Sequence, residues 1–105
     1  MPLWVRYEVL LPVRHNDGSL VEDNTHLVCM DELVDTFGGA TMEPQRVLGR
    51  WVFGGATYED ELLRLIVEVE DTVDHHAWFA SWKETLKARF DQLDIRMTWH
   101  PIHVV

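Results

Sequence analysis

The stretch from Gly49 to Asp71, GRWVFGGATYEDELLRLIVEVED, decides the fold. An aromatic and β-branched run ends at Gly54-Gly55, a pair suited to a tight hairpin turn. After the acidic residues Glu59, Asp60 and Glu61, the apolar residues Leu63, Leu65, Val67 and Val69 recur with period two. That period places them on one face of a strand. Glu59 and Glu61 then share a face that Asp60 does not. With no nucleophile or spacing signature beside them, these carboxylates and Trp51 and Tyr58 read as a hairpin edge kept apart from other edges by charge.

Upstream, Ala40–Glu43 and Arg46–Phe53 read as one strand marked at Pro44 by an edge, a bulge or a break,. Before it the period is helical. Leu27, Met30, Leu33, Val34 and Phe37 form the apolar stripe, with Asp23, Asn24 or Thr25 as N-cap and Gly38-Gly39 as the stop,. His26 falls on this stripe as a satisfied, partly buried histidine, and Cys29 lies at its flank as a small buried hydrophobe,. The first strand alternates Leu3, Val5, Tyr7, Val9, Leu11 and Val13 with Trp4, Arg6, Glu8 and Leu10, and the NDGS turn follows it,. Downstream, Asp71 or Thr72 caps a second helix whose stripe is Trp78, Phe79, Trp82, Leu86 and Phe90. A last strand spans about Leu93 to Val104, with Ile95, Met97 and Trp99 facing inward.

The order strand, helix, strand, strand, helix, strand predicts an α+β fold. It is a ferredoxin-like βαββαβ plait, with a four-stranded antiparallel sheet and both helices on one face. Residues 1–105 are expected to form one such domain. The residues Gly49, Trp51, Gly54, Glu61, Phe90 and Gln92, set in GRWVFGG and ARFDQLDI, resemble small uncharacterised bacterial ferredoxin-like domains. The resemblance implies the fold and carries over no activity.

Composition narrows the function classes. Eighteen acidic against nine basic residues give a net charge of −9, which repels nucleic-acid phosphates at long range,. The single cysteine, Cys29, excludes an internal disulfide framework and suggests a reducing compartment,. The N-terminus has neither a signal-peptide pattern nor a membrane-spanning run, so a soluble, cytoplasmic protein is expected. His75 and His76 diverge on a helix, and His100 and His103 fall on opposite strand faces, so no metal site is expected. Phosphate-loop, dinucleotide and nucleophile-elbow signatures are absent, and no cofactor is implied.

The sheet face turned away from the helices is the informative surface. Alternation assigns to it Trp4, Arg6, Glu8 and Leu10; Leu48, Arg50 and Val52; Leu62, Arg64, Ile66 and Glu68; and Arg96, Thr98, His100 and Ile102. Trp4, Arg6, Arg50, Arg64, Ile66, Arg96 and His100 are the ligand or interface candidates. Three readings stand: a solvated sheet, a homodimer interface, or a site for a small acidic ligand. Two function classes follow. One is a self-associating interaction or regulatory domain. The other is a small dimeric α/β-barrel-type enzyme that binds an acidic or aromatic ligand between sheet and helices, with His26, Tyr7 or His100 as acid–base groups.

Overall fold

A computed structural model describes residues 2–105; Met1, part of the expected domain, lies outside the described residues. The elements are β1 (Trp4–Pro12), α1 (Asp23–Phe37), β2 (Thr41–Met42), β3 (Val47–Phe53), β4 (Ala56–Glu70), α2 (Val73–Arg89) and β5 (Met97–Ile102). All strand pairs are antiparallel: β5 lies beside β1, β1 beside β4, and both β2 and β3 lie along the far edge of β4. The fold is a ferredoxin-like α+β plait with five strands instead of the expected four. The difference comes from Pro44. Four residues, Glu43 to Arg46, separate Met42 from Val47, whereas only two separate their partners Leu65 and Leu62 on β4. The excess loops out where proline cannot donate to the ladder.

Nine consecutive pairs join β1 to β4, from Trp4 with Glu70 to Pro12 with Leu62. Val5, Tyr7, Val9 and Leu11 therefore share a side with Val69, Val67, Leu65 and Leu63. The helices close this side. Phe79, Trp82 and Leu86 from α2, Phe90 at its C-terminal cap, and Cys29 and Leu33 from α1 join the buried core with Val21 and Ile95. Thr72 caps α2 by accepting the His75 N–H at 3.1 Å. Gly38, in the left-handed region at φ 88°, ends α1 by donating to Val34 O,.

The inner face of α1 keeps Leu33, His26 and Cys29 as expected, but it is rotated away from Leu27 and Val34. His26, Cys29 and Leu33 are buried, while Leu27 and Val34 are exposed. Both sets have helical spacing. The rotation shown lets His26 Nε2 donate to the Pro12 carbonyl at 2.7 Å and sets its ring 5.7 Å from Phe90. Capping differs too: α1 starts after Glu22, whose side chain makes no capping bond.

Glu32 ties the two helices together. Its carboxylate accepts both Arg89 guanidinium nitrogens, one at 3.0 Å, and the Trp82 indole N–H at 3.2 Å. The Arg89 bonds hold the Glu32 carboxyl below its ordinary value. Such a group contributes stability above its unfolded value and loses it as pH falls through the lower native value. Glu32→Gln should therefore lower stability by about 1 kcal/mol at neutral pH, the scale of a half-exposed, bidentate arginine pair. Denaturant melts of wild type and variant should differ at pH values above 4.5 and converge well below it,.

Candidate functional site

Register defines the open side of the sheet. Four rungs cross it: Glu70–Trp4–Ile102, Glu68–Arg6–His100, Ile66–Glu8–Thr98 and Arg64–Leu10, with Arg96 beside Leu10. Trp4, Leu10, Ile66 and Ile102 are each half-buried. The charges between them are paired within the chain. Arg6 Nη2 lies 2.8 Å from Glu68, and Arg64 Nη1 is 3.3 Å from Glu43. Arg64 Nε is buried without a hydrogen-bond partner, its nearest carboxylate being Glu8 at 3.8 Å.

Arg50, Leu48 and Val52 lie on the other side, contrary to expectation. A two-residue turn sets Phe53 opposite Ala56, and hence Leu48 opposite Glu61, Arg50 opposite Glu59 and Val52 opposite Thr57. Those partners share their side with Leu63 and Leu65, because neighbours along a strand alternate. Gly54 and Gly55, at φ 58° and 78°, make this turn possible, since both positions require the left-handed region,. The open side of β3 instead carries Val47, Gly49, Trp51 and Phe53. Arg50 pairs with Glu59 at 2.6 Å. The other candidates, Trp4, Arg6, Arg64, Ile66, Arg96 and His100, share the open side.

Between the Gly54-Gly55 turn and Leu62 the β3–β4 hairpin extends past the helices. It projects as a ribbon, contributing to principal extents of 47 × 30 × 25 Å. Val52 and Phe53 near its tip are 75% and 77% exposed. Each carboxylate of its acidic run holds a donor. Glu59 takes Arg50, Asp60 accepts the Trp51 indole N–H at 2.7 Å, and Glu61 lies between Arg46 and Arg14 at 2.7 and 3.4 Å. The Arg46 bond, with a smaller contribution from Arg14, holds the Glu61 carboxyl below its ordinary value. At the ribbon's base a groove of about 810 Å³ is lined by Trp51, Tyr58, residues of the 14–18 turn and Arg96, together with the buried Pro12 and Leu62.

The three acid–base candidates do not meet. His100 is exposed on the open side, opposite Tyr7 across the sheet. His26 is buried and bonded to backbone. Tyr7 is engaged by a residue the sequence did not suggest. Its hydroxyl donates to Nδ1 of His76, whose Nε2–H donates to Asp71 Oδ1 at 2.6 Å,. A second hollow of about 340 Å³ adjoins this relay, with Trp99 and Lys83 on its walls. Burial, then the Asp71 charge, raises the Tyr7 phenol above its ordinary value, so the relay favours a neutral tyrosine over an ionised one. Tyr7 and His76 are 69 positions apart, and only the packing of α2 on β1 joins them. Burial likewise raises the Cys29 thiol, leaving it a poor nucleophile at neutral pH,.

Among the described residues, no three histidine, cysteine or carboxylate side chains converge as metal ligands. No described helix is long and apolar enough to cross a membrane.

No family model matches the chain, and no curated protein does either. Among solved structures, the divalent ion tolerance protein CutA1 from Ehrlichia chaffeensis superposes with a TM-score of 0.67 at 8% sequence identity. The match covers all of this chain and 86% of that one. At that identity the likeness shows the fold alone.

The relay fixes one tautomer of His76, because an Asp71 carboxylate can only accept. Nitrogen-15 spectra of neutral His76 should show the proton on Nε2. Asp71→Ala should remove that bias, while Tyr7→Phe should preserve it.

Proposed function

We propose that this chain is an interaction domain that self-associates as a dimer through the open side of its sheet. The observation that carries the reading is the strip of half-buried apolar side chains, Trp4, Leu10, Ile66 and Ile102, crossing β1, β4 and β5 without a covering layer. Water contact at such a strip is unfavourable, and a second sheet face is the simplest cover.

Charge favours a second copy over an unlike partner. The molecule carries −9 overall, yet this face sets Arg6, Arg64 and Arg96 among Glu8, Glu68 and Glu70. A surface bearing both signs can complement itself across a two-fold axis. Closing two faces also removes water from the Glu8–Arg64 pair and strengthens its attraction. A standard interface takes about 800 Å² from each partner, near a tenth of the 7111 Å² exposed here,.

Buried aromatic and aliphatic anchors dominate such interfaces, which places Trp4 and Ile66 at the centre. Ile66→Asp puts a charge there while pointing away from the helices, so the protomer fold should persist. Light scattering at micromolar concentration should give a dimeric wild type and a monomeric variant with an unchanged far-ultraviolet spectrum. A monomeric wild type, or a variant that stays dimeric, would refute the reading.

A further inference from the structure

We propose that the groove at the base of the β3–β4 ribbon binds a flat aromatic anion, stacked on the Trp51 indole and paired with Arg96. This goes beyond self-association and centres on Trp51, which is not part of the dimer strip, although Leu10 and Arg96 border both. Trp4 and Ile102 lie at the Glu70 end of the β1–β4 pair and Ile66 at its middle, whereas the groove lies at its Leu62 end.

Trp51 is held as a platform. Its indole lies against the backbone of Gly49 so closely that a Cβ added there would stand 2.7 Å from Cζ2 and 3.1 Å from Cε2. Only glycine leaves room for the ring. The edge of the ring is pinned by the 2.7 Å bond from Nε1–H to Asp60. Backed by Gly49 and fixed by Asp60, the indole remains 42% exposed and lines the groove, with Tyr58 paired to it across the ribbon. An aromatic face held rigid at a cavity wall favours a planar ring, which stacks without ordering cost to the protein.

The anion follows from the arginine inventory. The chain has nine lysine and arginine side chains against eighteen carboxylates. Among the described residues, eight of the nine lie within ion-pair distance of a carboxylate. The exception is Arg96, exposed on the groove wall. In a protein with twice as many acids as bases, the unpaired guanidinium stands where a ligand carboxylate can reach it. Three of the nearby carboxylates are ion-paired, Glu59 with Arg50, Glu61 with Arg46 and Asp94 with Lys83 at 3.0 Å, and Asp60 keeps its charge while accepting the Trp51 indole N–H. The groove volume, about 810 Å³, suits a small molecule,.

The probes are 2-naphthoate and its uncharged analogue 2-naphthamide, titrated calorimetrically into wild type and variants. Wild type should bind naphthoate saturably at one site per chain and prefer it to the amide, and the titration should shift the Trp51 indole N–H resonance. Trp51→Ala should weaken both probes about tenfold through the lost stacking surface. Gly49→Ala, which forces the ring off its seat while leaving the indole present, should weaken both as well. Arg96→Gln should abolish the preference for naphthoate and leave amide binding unchanged. Ile66→Asp should bind as wild type does, which separates failure of this site from failure of the dimer. Binding that never saturates, a Trp51→Ala protein with wild-type affinity, or an Arg96→Gln protein that still prefers the anion would overturn the proposal.

Discussion

The rest of the structure depends on the unbroken alternation of β4. Fifteen consecutive residues, Ala56 to Glu70, stay extended. Every other strand except β5 takes its register from them. Because side chains alternate with period two, one choice of phase assigns Leu63, Leu65, Val67 and Val69 to the helices. The same choice leaves Tyr58, Asp60, Arg64, Ile66 and Glu68 on the opposite side. A slip of one residue against β1 would bury Arg64 and Glu68 in the core. Unpaired buried charges cost several kcal/mol each, so the register has no close competitor.

The same strand serves two environments. From Leu62 onward it lies between β1 and the β2–β3 edge and under the helices, and its apolar side is dry. Before Leu62 it pairs only with β3, and both sides of the ribbon meet water. Arginine–carboxylate pairs along the ribbon and the Trp51–Asp60 bond hold this part together in place of a core. Exposed pairs of that kind contribute little individually. Their clearer effect is to fix positions: Trp51 is seated and Glu61 is shared between the ribbon and Arg14 of the turn beyond β1.

Much of this was legible in the sequence because it is local. The period-two runs of β1 and β4, the Gly54-Gly55 turn and the α2 stripe each follow from neighbouring residues. What was missed depends on phase or on distant contact. The rotation of α1 is ambiguous in the sequence because Leu27 and Val34 continue a helical stripe as well as His26 and Cys29 do, and contacts with distant residues, the Pro12 carbonyl and the Phe90 ring among them, separate the choices. Strand alternation alone puts Leu48, Arg50 and Val52 on the open side, but a two-residue turn makes the pairing of β3 with β4 cross odd with even positions, a signal present in Gly54-Gly55 itself. The link from Tyr7 through His76 to Asp71 had no local signal, since it needs β1 and the start of α2 brought together. Six of the seven candidate residues share one side, but no sequence pattern shows that Arg96, alone among the arginines there, lacks a carboxylate partner among the described residues.

The apolar strip on the open side follows directly from the β4 phase, and what covers it is the central question for function. Isotope-filtered nuclear Overhauser spectra of a mixture of labelled and unlabelled chains address it most directly, because they report only contacts between copies. The expected result is a set of intermolecular contacts between the Ile66 methyls, the Trp4 indole and Ile102. Contacts confined to the helices, for example at Leu27 or Val28, or the absence of any intermolecular contact at millimolar concentration, would contradict it.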